Sequence, residues 1–179
     1  MTITEALAQI KTIGKRIAKK RESISAYIAR QDNLKDPLAN EGGSVEYIKR
    51  ERQGIADLEQ EIVTLRAKIA AANARTVIAV NGDSRSVADW LTYRREVAPG
   101  QQQFLNGLRG GLDNLRKQVA AKGLGIVNAT ATVNTAEVKP TDVWVNISEK
   151  ELAEEIEHLE TVLGGLDGQL SLTNATTQV

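Results

Sequence analysis

The chain has 179 residues, of which 41% are hydrophobic and 26% charged, as in soluble globular proteins. Lysine plus arginine equals aspartate plus glutamate at 23 each, which argues against the basic excess typical of nucleic-acid-binding proteins. The absence of cysteine excludes disulfides, thiol nucleophiles and thiolate metal sites. No apolar run approaches the roughly 20 residues of a membrane span and no signal-peptide core is present, so a cytoplasmic origin is expected.

The first helix is predicted over residues 3–31, because Thr2 and Glu5 have capping-box spacing and an apolar seam follows. Isoleucines seven residues apart, close to two helical turns, form this seam: Ile3, Ile10, Ile17 and Ile24. A companion row with two interruptions is predicted beside it: Leu7, Gly14, Arg21 and Ile28. The two interruptions are where a partner is expected to bind.

The second helix is predicted over residues 44–73, with Ser44 as its cap. It repeats the same interval: Ile48, Ile55, Ile62 and Ile69. Its companion positions carry Leu58, Leu65 and Ala72. A short polar loop around Asp36-Pro37 joins the two helices, which predicts an antiparallel hairpin with a coiled-coil-like seam.

A β-like run at residues 76–80 precedes the turn signal Asn81-Gly82-Asp83. The third helix is predicted over residues 86–121, with one heptad register: Leu91, Ala98, Leu105, Leu112 and Val119. That register continues through Pro99. The segment is therefore either one long helix kinked at Pro99 or two nearly collinear helices.

Residues 124–147 alternate apolar and polar side chains, which predicts either a small sheet with residues 76–80 or an extended arm. The last helix is predicted over residues 149–172, with one leucine seam: Leu152, Leu159 and Leu166. The predicted fold is mainly α. It is a single domain over residues 1–179, an elongated four-helix bundle of two helical hairpins with a small β-like excursion or extended arm.

The residues that could carry chemistry form no catalytic constellation. His158 is the only histidine, without a second histidine or a cysteine for a zinc site and without a serine elbow motif. The acidic residues between 149 and 160 lack the spacing and glycine of a calcium loop. We predict a non-enzymatic protein without catalytic, cofactor-binding or metal-binding residues. A hydrolase or metal enzyme using His158 is the alternative.

A basic stretch on the first helix is interpreted as pairing with acidic residues of a neighbouring helix: Lys15, Arg16, Lys19, Lys20 and Arg21. Two glycine groups lack the Lys-Ser or Lys-Thr of a P-loop. They are interpreted as places of close helix approach: Gly107, Gly110 and Gly111, then Gly164, Gly165 and Gly168.

The two tryptophans are the large apolar anchors of an aromatic-poor chain. Trp90 is expected at the helix junction and Trp144 on the extended segment, although interfaces also favour tryptophan. Together with two valines of the alternating segment they form the predicted interaction set: Trp90, Val127, Val133 and Trp144.

The order of helical hairpin, strand-turn, third helix and final helix resembles that of the septicolysin family of small bacterial helical proteins. The matching residues are Asn73-Ala74-Arg75-Thr76, Glu137-Val138-Lys139, Val145-Asn146-Ile147 and Asn174 to Val179. The chain departs at Ala175, where the family pattern has a tryptophan after the asparagine. The resemblance implies a helical bundle, and the family name suggests cytolysis without supplying a catalytic motif.

The leading functional prediction is a structural protein of a multi-subunit assembly, with a bacteriophage virion component as the main case. Heptad seams, an arm that could extend a neighbour's sheet and the absence of a catalytic motif favour this class. The expected partners are further copies of the chain and other structural proteins, with no small-molecule substrate, no strong nucleic-acid signal and no membrane span. The expected location is the virion, after synthesis in the bacterial cytoplasm. The alternative is a membrane-active toxin of the septicolysin type.

Overall fold

The computed structural model describes residues 1–130 and 138–179. It confirms the mainly α fold class, since 71% of the described residues are helical and the two sheets found among them have two strands each. Where the sequence predicted a single domain, the contacts divide the chain into two compact units. The first unit contains Met1–Val77 and Leu170–Val179, and the second contains Ile78–Gln169.

The first unit is built on a hairpin of α1 (Ile3–Ser25) and α2 (Gly43–Arg75), joined through a 3₁₀ turn at Ala39–Glu41. The capping box predicted for α1 is present. The two helices are antiparallel. Gln9 bonds Glu61 near one end, and Ser23 bonds Tyr47 near the other. Helix α1 ends at Ser25, six residues before the predicted limit.

Both isoleucine ladders line the interface of this hairpin. The companion row predicted for α1 is wrong, because the residues that face α2 follow the isoleucines by three positions instead of four. The observed row is Ala6, Ile13, Lys20 and Tyr27. Leu7 and Ile28 are exposed at 37% and 71%. On a helix, the side chains three and four positions after a given residue both lie next to it. The rotation of α1 about its own axis therefore decides which of these two rows faces α2.

The two ends of the chain pair within the first unit. Thr2 and Gln178 form an isolated antiparallel bridge. The Val179 N–H donates to the Met1 carbonyl at 2.9 Å, and the Ile3 N–H donates to the Thr177 carbonyl at 3.1 Å. Val179 also packs against the α1–α2 core.

A hairpin of β1 (Val77–Val80) and β2 (Asp83–Ser86) follows α2. Its two-residue turn has positive φ at Asn81 (51°) and Gly82 (86°), the backbone of a type I′ turn. Within the described residues, Val77–Val80 therefore pairs with the strand that follows it.

The third helical segment runs without interruption from Val87 to Ala121 as α3 (Val87–Thr92), a π-helical turn (Tyr93–Val97) and α4 (Ala98–Ala121). Of the two predicted alternatives, the structure has one long helix. Pro99 has no N–H, and its ring would clash with the carbonyl four residues earlier. The wider π turn directly before Pro99 accommodates this defect, and the Ala98 N–H bonds the Tyr93 carbonyl.

Helix α5 (Glu149–Thr176) completes the second helical hairpin and is four residues longer than predicted. Its leucine seam packs on α4 as predicted, with Leu105 and Leu112 against Leu152 and Leu159. Arg94 pairs with Asp167 at 2.9 Å, and Arg116 pairs with Glu149 at the other end. These two ion pairs show that α4 and α5 are antiparallel.

Two short strands, β3 (Ile126–Asn128) and β4 (Val143–Val145), form within the alternating segment and pair with each other in parallel. Among the described residues neither strand pairs with residues 76–80, which was one of the two predicted alternatives. A strand that continues into a tight hairpin is paired locally before a distant segment can compete, since closing a longer loop costs more entropy. Val133 and Glu137 lie outside the described residues.

The glycines of α4 and α5 do not mark close helix approach within the described part of the chain. A Cβ atom added at most of them would meet no atom within 4 Å: Gly107, Gly110, Gly111, Gly164 and Gly168. Only Gly165 approaches a neighbour, with Val80 Cγ1 at 3.4 Å. Val80 belongs to a strand, so the interpretation as close helix approach is wrong for all six residues within the described part of the chain.

Candidate functional site

The β3–β4 pair brings together two of the predicted interaction residues. Val127 and Trp144 are direct register partners, so their side chains lie on the same face of the sheet. Val145, one residue further on, is buried in the α4–α5 core and therefore faces the other way. Val127 and Trp144 thus form an outer face. Trp144 is 46% exposed there.

Asp142 positions both strands. Its carboxylate accepts the Gly125 N–H at 3.2 Å and the Lys139 N–H at 2.9 Å. A Cβ atom at residue 125 would lie 2.6 Å from Asp142 Oδ1, so any larger residue would displace this carboxylate. At the other end Asn128 Oδ1 accepts from the Thr130 N–H and hydroxyl and terminates β3.

Sequence reasoning missed Asp142 and Gly125. A glycine inside a strand-like run is a signal for close backbone approach, and Gly125 directly precedes Ile126-Val127. No comparable signal identifies Asp142 as its partner, because the residues between them do not predict where the chain returns.

A parallel pair of only two strands is an uncommon arrangement. Parallel sheets normally occur with both faces covered and with several strands. In the described part of the chain β3 has only β4 as a neighbour, so each strand has an edge without a further strand. Edges of this kind, beside an exposed aromatic face, are sites where another chain can pair.

Trp90 lies in the core of the second unit and not on a surface. It is 2% exposed, and its Nε1–H donates to the Ile78 carbonyl at 3.2 Å. Its ring meets Tyr93 edge to face at 5.7 Å, and the Arg85 guanidinium lies 4.9 Å from its centroid. The buried donor and both contacts make Trp90 the junction anchor that the sequence analysis expected.

His158 lies in a polar cleft of about 530 Å³ between the β1–β2 hairpin and the helices of the second unit. Asn81 Nδ2 is 3.4 Å from His158 Nδ1, and Arg85 pairs with Asp83 at 2.5 Å. The lining includes no serine, threonine, cysteine or lysine among the described residues. The one hydroxyl in the lining, that of Tyr93, bonds Gln101 at 2.9 Å among the described residues.

Within residues 1–130 and 138–179, no group of three or more histidine, aspartate or glutamate side chains could hold a metal ion. None of the described helices is long and apolar enough to cross a membrane.

Comparison with known proteins returned no matching family model, no matching curated protein and no matching solved structure. The resemblance to the septicolysin family therefore stays an expectation from the sequence.

Proposed function

We propose that this chain is a non-enzymatic structural subunit of a multi-subunit assembly, and that the assembly is a bacteriophage virion. The observation that carries the proposal is the outer face of the β3–β4 pair, where Trp144 is 46% exposed beside Val127. Tryptophan is enriched at the energetic centres of protein interfaces. The uncovered strand edges supply backbone groups for a neighbouring chain.

The helical hairpins support the same class of function. Their seams are long and regular, and Val145 packs the strand pair on the α4–α5 core. A rigid support lowers the entropy lost when a partner binds. This architecture suits a subunit that presents a preformed surface, in a capsid-, neck- or tail-associated position.

The role of Trp144 is tested by association of the purified chain. Light scattering after size exclusion should show a mass that rises with concentration, and Trp144→Ala should weaken that association by at least about tenfold. Phe104→Ala is the matched control, because Phe104 is an aromatic residue of the same unit that is 64% exposed. An equal effect of both variants would remove the support for this surface.

The virion assignment is tested on particles. Mass spectrometry of purified phage particles should find the chain at a fixed ratio to the other structural proteins. Its absence from particles would contradict this assignment. Dye release from liposomes at about micromolar protein would instead favour the membrane-active alternative.

A further inference from the structure

The outer face of α1 carries a row of exposed lysines: Lys11, Lys15 and Lys19. They stand four residues apart on the side of the helix opposite the buried Ile13 and Ile17. None of these three forms an ion pair in the described part of the chain. Like charges at this spacing destabilise a helix, so the row is unfavourable for the chain alone.

Two neighbouring basic residues of α1, beside the seam, do form ion pairs. Lys20 pairs with Glu51 and Arg21 pairs with Glu59, both at 2.7 Å. The interpretation of the basic stretch as pairing with a neighbouring helix therefore holds for these two residues. Pairing with a neighbouring helix does not account for the lysine row of Lys11, Lys15 and Lys19.

The outer face of α5 carries the opposite charge: Glu151, Glu154 and Glu157, all exposed. These residues lie on the side away from the buried Leu152 and Leu159. Glu154 has a weak contact to Lys150 of its own helix at 3.7 Å. Glu151 and Glu157 have no ion pair among the described residues.

Small residues continue both faces beyond the charges. Thr4 and Ala8 precede the lysines on α1, and both are exposed. Gly164 and Gly168 follow the glutamates on α5, with open space at each Cβ position. Glycine inside a helix lowers its stability, and the described part of the chain makes no use of the space at these two residues.

The two faces match when the helices run antiparallel. At 1.5 Å per residue the lysine row is about 12 Å long and the glutamate row about 9 Å long. In this orientation Lys11, Lys15 and Lys19 lie opposite Glu157, Glu154 and Glu151 respectively. Thr4 then lies opposite Gly164, where the two backbones can approach closely.

We infer that a second copy of this chain binds here, with the outer face of α1 from one copy antiparallel on the outer face of α5 from the other. Charge complementarity selects a second copy, because one chain with 23 basic and 23 acidic residues carries both halves of the contact. The inference rests on the proposed function and names a partner for it.

Two charge-reversed chains test this contact. One carries Lys11→Glu, Lys15→Glu and Lys19→Glu, and the other carries Glu151→Lys, Glu154→Lys and Glu157→Lys. Circular dichroism first checks that both chains are folded. Sedimentation should show that each variant alone loses at least about tenfold in self-association, because like charges then face each other. An equimolar mixture should regain it, because each copy then meets an opposite row.

Two controls accompany the mixture. Raising salt from roughly 50 to 500 mM should weaken wild-type association, because screening shortens the range of charge attraction. Arg52→Glu, Arg66→Glu and Lys68→Glu together make the same charge change at exposed positions of α2. This triple variant should associate like the wild type.

The outcomes separate the inference from the proposed function. Wild-type association that persists unchanged in both variants, or a mixture that fails to recover it, overturns the α1–α5 contact and leaves the structural role intact. A chain that is monomeric at all concentrations and salt levels also overturns the contact. The structural role fails only if such a chain is missing from purified particles as well.

Discussion

Lys20 Nζ lies 2.7 Å from Glu51 Oε2 inside the α1–α2 seam, at a layer where both helices replace an apolar side chain with a charged one. The two side chains are 28% and 17% exposed. A shift of one helix along the other by a turn would place both charges against isoleucines without a partner. The pair therefore selects one register of an otherwise repetitive seam.

Replacing Glu51 with leucine should destabilise the fold by about 1–3 kcal/mol, because Lys20 is then left half-buried without its carboxylate. Replacing both residues with leucine should recover most of this loss and loosen the register. Glu59→Leu is the control, since the Arg21–Glu59 pair is 65% and 49% exposed. It should cost less than about 1 kcal/mol in urea unfolding. Equal losses in free energy of unfolding for Glu51→Leu and Glu59→Leu would contradict a role of the Lys20–Glu51 pair in selecting the register.

Asp36 should make stability depend on pH in the acid range. The Ser44 hydroxyl and N–H donate to its carboxylate at 2.6 and 2.8 Å, and the Leu38 N–H donates at 2.9 Å. These bonds lower the pKa of Asp36 from 3.8 to about 2. A carboxyl whose pKa falls on folding stabilises the folded state above its unfolded pKa. That contribution is lost as pH falls from about 4 to about 2.

Asp36→Asn should therefore unfold at a lower temperature than the wild type at pH 7, and the difference should shrink toward pH 2. Asp32→Asn, an exposed change in the same loop, should leave the melting temperature within error at both pH values. Thermal unfolding between pH 2 and 7 measures both. A difference between Asp36→Asn and wild type that stays constant with pH would refute the assignment of this carboxylate.

Replacement by phenylalanine should change the free energy of unfolding strongly at Trp90 and very little at Trp144. Trp90→Phe removes the bond from Nε1 to the buried Ile78 carbonyl and part of the packing, which should cost about 2–4 kcal/mol. Trp144→Phe should change the free energy of unfolding by less than about 0.5 kcal/mol, since its ring is half-exposed. Chemical denaturation measures both free energies of unfolding, provided that the denaturant slopes (m-values) of the variants match that of the wild type. A larger loss for Trp144→Phe than for Trp90→Phe would disprove the assigned positions.

Gly125→Ala should disrupt the strand pair without unfolding the helices. The added Cβ would lie 2.6 Å from Asp142 Oδ1, so the carboxylate must leave the Gly125 and Lys139 N–H groups. The expected result is lost hydrogen-exchange protection at the Val143 and Ala129 amides, which bond across the strand pair, with helical circular dichroism unchanged. Gly107→Ala is the control, because its Cβ position is open. Retained protection in Gly125→Ala would show that Asp142 does not hold the pair.

Local patterns predicted most of the helical architecture. Capping residues and heptad intervals placed four helical segments, and Ile3, Ile17 and Ile69 of the two ladders are buried. Such signals depend on residues within two turns of each other, so they can be read directly from the chain. The limits of α1 and the companion row at Leu7 were missed, because a neighbouring helix decides which of two adjacent rows is covered.

The interaction surface could be predicted only in part. Val127 and Trp144 were identified from alternation and residue type, but their parallel pairing joins two segments that are distant in the sequence. Local sequence predicts that both segments are extended without predicting their partners, because strand pairing is a long-range choice. Trp90 was named in the same set, and its burial follows from contacts with Ile78 and Tyr93 that no interval reveals.

The sequence by itself thus determined that this protein consists of paired amphipathic helices, because heptad spacing and helix caps act within single segments. Only the tertiary structure decided that Lys20 meets Glu51, that Pro99 is preceded by a π turn, and that Trp144 faces outward beside Val127. Those features depend on how helices rotate and where distant backbone groups meet, and these choices minimise the free energy of the whole chain.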